Sequence, residues 1–120
     1  MKKRNVFFAS LFAILTGIAS FSHAGRQDFT VHNRTGVTVW KMYVSAANAS
    51  GWEEDVLHDN VIYHGGSFTL RFSNYESRRY WDIKIVDRQG NTAEWRNVDL
   101  LTTSNITLYQ ANGSVWADFD

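Results

Sequence analysis

The sequence has no cysteine and no proline among its 120 residues. Without cysteine there is no disulfide to stiffen a small fold, and no acylation site behind the N-terminal apolar run for a lipoprotein anchor. Low-complexity segments, internal repeats and linkers are missing as well, so a single domain is expected. Nor is there an excess of positive charge. The 12 Lys and Arg balance 12 Asp and Glu, and three of the basic residues, Lys2, Lys3 and Arg4, precede an apolar run from Val6 to Ala19 that leads into Ser22-His23-Ala24. That order of charge, apolar run and small residues is a secretory signal peptide over residues 1–24, with cleavage after Ala24. The run is shorter than the ~20 apolar residues of a spanning helix, so no membrane span is expected after cleavage. Removing the three leader cations turns the neutral balance into a net charge of −3 for Gly25 to Asp120. Nucleic-acid binding, which rests on a basic face, is therefore not expected, and the location implied is periplasmic or secreted.

Aromatic residues, by contrast, are plentiful: Trp40, Trp52, Trp81, Trp95 and Trp116 all follow the leader. A domain of this size buries only a little over ~60% of its unfolded surface, and with no disulfide the large aromatics are expected to supply the core. A sugar-binding platform is the competing use of so many tryptophans.

The dominant pattern has period two. "SFTLRF" sets Phe68, Leu70 and Phe72 on one face, and "YWDIKIV" sets Trp81, Ile83 and Ile85 against Asp82 and Lys84. Further strands are expected at Asp28 to Asn33, Val37 to Ser45, Thr92 to Leu101, Asn105 to Gln110 and Ser114 to Phe119, separated by turn sequences at 33–36, 65–66, 87–91 and 112–113. Parity changes within two of these strands predict bulges near Trp40 and Arg96. Together the segments predict an all-β fold, an antiparallel β-sandwich of about seven strands with an immunoglobulin-like outline. A small closed β-barrel is the alternative. Any helix would be a turn or two within Ala46 to Asp59.

Candidate chemistry centres on "SGWEEDVL", residues 50–57. Adjacent carboxylates along an extended chain point apart, so Glu53, Glu54 and Asp55 lack the shared substrate that acid–base catalysis requires. As a calcium loop, Glu53, Glu54, Asp55 and Asp59 would supply oxygens, joined by Asp87 if its turn lies at the same end. As a structural loop, Trp52 and Leu57 would anchor it while Asp55 accepts backbone N–H groups and Glu53 and Glu54 stay in water. The structural loop is the expectation adopted. His58, Asp59 and His64 match no helical zinc spacing, and no nucleophile elbow is present. In "ESRRYW", Arg78 and Arg79 beside Tyr75 and Tyr80 form a basic patch for an anion or glycan, or a solvated turn that protects the next strand.

Asn33-Arg34-Thr35-Gly36, Tyr43-Val44-Ser45, Trp52 with Asp55 and Leu57, Gly65 to Phe72, Trp81 to Val86, and Asp87 with Gly90, Ala93, Glu94 and Trp95 form an ordered set of short motifs. Over Asp28 to Tyr109 this set resembles a group of small exported bacterial β-domain proteins of unknown function, some of which carry the label argininosuccinate lyase. That activity is rejected for this chain, because the true lyase is a much longer, helical, oligomeric enzyme. Many members of the group have a cysteine pair that would fall at Arg79 and Leu101 here, and Glu53 stands where the group has glycine. The reading reached is an exported, monomeric, non-catalytic binding or interaction domain whose partner is a protein or a glycan. It needs no cofactor. A calcium-dependent module or small enzyme using the acidic loop is the alternative.

Overall fold

A computed structural model describes residues 25–120. The expected leader, 1–24, lies outside the described residues. Seven strands follow in chain order: β1 (Phe29–Arg34), β2 (Val39–Ala46), β3 (Ser67–Leu70), β4 (Tyr80–Asp87), β5 (Thr92–Asp99), β6 (Asn105–Ala111) and β7 (Ser114–Phe119). They form a four-stranded sheet ordered β3-β1-β6-β7 and a three-stranded sheet ordered β2-β4-β5, packed as a sandwich with no closed barrel. The four-plus-three division is that of an immunoglobulin constant domain; the strand order is not. No helix occurs among the described residues, and the segment after β2 is built from turns.

Period-two alternation becomes the core directly. Phe29 and Val31 of β1, Met42, Val44 and Ala46 of β2, Phe68 of β3, Trp81, Ile83 and Ile85 of β4, and Ile106 and Leu108 of β6 face inward and are buried. Leu57 and Ile62 join them from the long β2–β3 connection, so this loop contributes to the core as well as covering it. The expected strand at 67–72 stops at Leu70, and the Phe72 ring continues inward to meet Trp81 edge-on at 4.9 Å between centroids.

One pairing departs from the antiparallel expectation. β1 runs parallel to β6, with Val31 opposite Ile106 and Asn33 opposite Leu108, whereas the other pairs are antiparallel. Alternation reveals which face of a strand is apolar but not the direction of its neighbour.

Both expected bulges are present. The β2–β4 register shifts between Val39 and Lys41, placing Trp40 at the bulge. In β4–β5, Trp81 pairs with Val98 but Ile83 pairs with Trp95, so Arg96 and Asn97 together oppose Asp82. Asn97 takes a left-handed φ of 56°, which asparagine tolerates better than most residues. The β6–β7 hairpin turns on Asn112 and Gly113, both at positive φ as a tight primed turn requires.

Asn33 is a buried polar hub. Its amide nitrogen donates to the carbonyls of Val37 and Ile62, and its Oδ1 accepts from the backbone and hydroxyl of Thr35. The sequence reads "NRTG" as a turn; the structure makes it the tie between the β1–β2 turn and the long loop.

Trp81 is buried and its indole N–H donates to the Arg78 carbonyl at 3.0 Å, whereas Trp95 is only half-buried, edge-on to Phe119 at the sandwich margin. Trp81→Ala is expected to cost ~3–5 kcal/mol, the range for a large core aromatic, and Trp95→Ala distinctly less. Urea denaturation of the two variants checks the order; equal losses would mean that the sandwich margin is as tightly packed as its centre.

Candidate functional site

The loop from 47 to 66 runs along the free edge of β2 and pairs with it at two isolated bridges, Tyr43 with Asp55 and Val39 with Ile62. Between the bridges, one carboxylate oxygen of Asp55 accepts the backbone N–H groups of Met42 and Leu57, each at 2.9 Å, while Val56 donates to the Met42 carbonyl. Asp55 therefore caps donors that no strand reaches, as the structural-loop reading expects. Leu57 is fully buried, and Glu53 and Glu54 are exposed. Trp52 is half-buried and lies over the outer face of β2, β4 and β5, so it covers the sheet instead of filling the sandwich edge.

The five carboxylates of the calcium reading are not brought together. Glu54 sits 3.9 Å from the imidazole of His58. Asp87 lies on β4, across β2 from the loop, and opposite Val39, which is three residues or about 10 Å along β2 from Met42. Its carboxylate is occupied by its own turn, accepting from the backbone of Gln89 and Asn91 and from the Asn91 side chain, which holds its pKa below the usual range. Among the described residues no three His, Asp or Glu side chains converge as they would around a metal. The histidines are dispersed: His64 Nδ1 accepts the Gly36 N–H, and His32 pairs with the Asn105 side chain.

The basic patch is occupied too. Arg78 forks onto Glu76 at 2.8 and 2.9 Å, and this guanidinium holds the Glu76 carboxyl down at about 2. Arg79 pairs with Asp99 at 2.8 Å, and its carbonyl accepts the Leu100 N–H. Where the resemblance implies a cross-link between positions 79 and 101, Arg79 is instead joined to Leu100 by a backbone hydrogen bond and to Asp99 by an ion pair.

The site that emerges is a different one. On the outer face of β4, Asp82 and Lys84 alternate with the core residues, and opposite them stand Ser45 and Tyr43 of β2 and Arg96 and Glu94 of β5. Asp82 is buried although it faces outward. Its carboxylate accepts the Asn97 N–H at 2.9 Å and the Arg96 guanidinium at 3.0 Å, and Arg96 also reaches Glu94 at 2.7 Å. Those two carboxylates raise the Arg96 pKa further above its already high value. The guanidinium lies 4.9 Å from the centre of the Trp52 ring, and the Lys84 ammonium stands 5.7 Å from that ring and 5.5 Å from the Tyr43 ring. All three distances are within cation–π range. Ser45 holds the loop by accepting the Glu53 N–H, and a cleft of about 270 Å³ opens between Ala49, Gly51, Trp52, Asp82 and Arg96. A larger hollow of about 400 Å³ at the sandwich end is lined by Val37, Val39, Ile85, Ala93 and Val115; Asp87 is its charged residue.

Of the residues singled out in the sequence, Trp52 and Asp55 belong to this construction, Leu57 anchors it from below, and Trp81 and Trp95 pack on the opposite face of the sheet. Tyr43, Asp82, Lys84 and Arg96 were not singled out as a site. The available signal was the shared parity of Asp82 and Lys84 together with the parity break at Arg96.

No family model matches the chain, and no curated protein matches it. A solved NMR structure of a protein from Eubacterium rectale is similar at a TM-score of 0.46 and 13% sequence identity, covering 78% of this chain and 88% of that one.

Asp55→Ala is expected to destabilise by ~1–2 kcal/mol, since it strands two backbone donors, while Glu53→Gln and Glu54→Gln change stability by less than ~0.5 kcal/mol. Thermal melts in calcium and in chelator should coincide. A calcium-dependent shift lost in Glu54→Gln would instead assign the loop to the ion.

Proposed function

We propose that the protein is an exported, non-catalytic binding domain that holds an acidic glycan on the outer face of β2, β4 and β5. The observation that carries this reading is the placement of Trp52 beside a cleft, with Lys84 and Arg96 at its ring and Tyr43 next to it. An aromatic face attracts the polarised C–H groups of a sugar ring, and a neighbouring ammonium recognises a carboxylate on that ring. Arg96 is committed to Asp82 and Glu94, so it serves to position Trp52; Lys84 has no carboxylate within ion-pair distance among the described residues and supplies the charge. The leader-like N-terminus, the net charge of −3 and the absence of cysteine fit a small envelope domain that recruits its ligand by a local patch and not by its overall field.

Titration of the protein with uronate-containing oligosaccharides, followed by tryptophan fluorescence, is expected to saturate. Lys84→Gln and Trp52→Ala should each weaken binding about tenfold or more, the effect of removing one charged or stacking contact. Lys84→Gln should leave the melting temperature unchanged. Absence of saturation with any uronate, or equal binding by Lys84→Gln, overturns the reading; capture of an envelope protein at the same face would replace the glycan with a protein partner. Incubation with argininosuccinate is expected to release no fumarate.

A further inference from the structure

The segment that leads into β1 is fastened to the 71–78 loop through Gln27 and Asp28. Gly25 and Gln27 are buried. The Gln27 amide donates to the carbonyls of Glu76 and Arg78, and one oxygen of Asp28 accepts the Phe72 N–H at 2.7 Å. The Asp28 N–H returns to the Gly25 carbonyl at 3.2 Å, closing a turn that brings Gly25 over the Asp28 side chain. Gly25 also fits where no other residue would. A Cβ there would stand 2.6 Å from the Phe72 carbonyl oxygen and 2.9 Å from Asp28 Oδ1.

This tightly held corner has unmet hydrogen-bonding capacity. Among the described residues, the buried side-chain polar atoms without a hydrogen-bond partner are Gln27 Oε1 and Asp28 Oδ2, both acceptors, and Gly25 lies against the other oxygen of the Asp28 carboxylate. Arg71 faces the unpartnered Asp28 Oδ2 at 3.8 Å, too long for a hydrogen bond. Burial pushes the Asp28 carboxyl up, outweighing the Phe72 amide, Arg71 and the Gly25 amide, which lies close enough to favour the charged form. A buried carboxylate with one unsatisfied oxygen is stabilised by a further donor or by added positive charge. A peptide nitrogen has one N–H and no charge; an α-ammonium has three and carries a full positive charge.

We propose that removal of residues 1–24 creates that donor: the α-ammonium of Gly25, once freed, pairs with Asp28 and locks the N-terminal segment against the 71–78 loop. This rests on the export reading above. Hydrolysis of the Ala24–Gly25 bond by a leader peptidase consumes one water, leaves a carboxylate on Ala24 and leaves the ammonium on Gly25. The domain is consequently less stable before processing than after it, which favours an export-competent chain on one side of the membrane and a tightly folded one on the other. Glycine at position 25 is required because any side chain would push the nitrogen away from the carboxylate.

The dependence on pH has a definite sign. Pairing raises the α-amino pKa above its ordinary ~7.7. The gain is therefore fully present below that value and is lost as pH rises through the raised pKa. The charged groups around this corner are Asp28 and Arg71, with Glu76 and Arg78, paired with each other, on the loop whose carbonyls hold Gln27.

Both sheets and the whole described core lie within residues 25–120, so a chain beginning at Gly25 is the folding unit to test. NMR titration of its α-amino nitrogen should give a pKa about one unit or more above the ordinary value. Its melting temperature near pH 6.5 should exceed that of the same chain carrying one extra N-terminal alanine by about 5–11 °C, the shift one pKa unit corresponds to in a domain of this size. The gap should close in Asp28→Asn and above about pH 10. If Asp28→Asn does not fold, the titration of the unmutated chain decides alone. An ordinary α-amino pKa with equal melting temperatures overturns the latch. Mass spectrometry of the protein recovered after export separates the two readings. A chain starting at any other residue overturns the processing boundary and the latch with it, whereas cleavage after Ala24 with an ordinary α-amino pKa overturns the latch alone.

Discussion

An edge strand presents backbone donors and acceptors that no neighbour answers, and the way β2 meets this constraint shapes the rest of the molecule. Asp55 takes the Met42 N–H on one carboxylate oxygen and shares that oxygen with Leu57, while Ile62 exchanges two hydrogen bonds with Val39 further along. The long loop is thereby fastened to the edge without becoming a strand, which also closes the edge against pairing with other chains. Leu57 and Ile62 follow the same geometry into the core. With no disulfide available, side chains that satisfy buried backbone groups do part of the stapling that small exported domains often leave to cystine.

The same fastening determines what the outer surface can do. Because the loop is held at Ser45, Tyr43 and Met42, Trp52 is laid across the face of the three-stranded sheet and not left in solvent. The β5 bulge completes the arrangement from the other side. Two residues opposite one leave Asp82 facing the Asn97 amide and the Arg96 guanidinium, and Arg96 is turned onto the Trp52 ring. A local break in strand register thus becomes a positioned cation, a common use of bulges next to binding sites. A binding function for this face depends on both devices.

Beyond this face, aromatic–cation pairs recur at Arg88 with Trp40 and Arg79 with Tyr80, all on residues of β2, β4 or the segments that flank β4. Their cations and rings are exposed to different degrees, and among the described residues it is around Trp52 that two cations and a second ring meet beside a cleft. The N-terminal corner is chemically distinct. There the unmet groups are acceptors, and the carboxylate of Asp28 is poorly solvated because Gly25, Phe72 and the 71–78 loop enclose it.

Much of this architecture is legible in the sequence because strand alternation is local. Parity along Phe68 to Phe72 and Trp81 to Ile85 determines which side chains enter the core, and parity breaks at Trp40 and Arg96 mark both bulges. The capping role of Asp55 is legible for a similar reason, since a short acid between two apolar anchors is a turn former. What local pattern cannot carry is pairing between distant segments. The parallel β1–β6 contact joins residues more than seventy positions apart, the Asn33 hub answers carbonyls on two separate loops, and the Trp52 face assembles side chains from β2, β4, β5 and a loop. Sequence alone determined the strands, their inward faces and the Leu57 anchor of the loop, because these depend on neighbours in the chain. Tertiary structure decided the sheet order, the cation–aromatic face and the enclosed carboxylate of Asp28, because each exists only where backbone groups from remote segments meet and must satisfy one another.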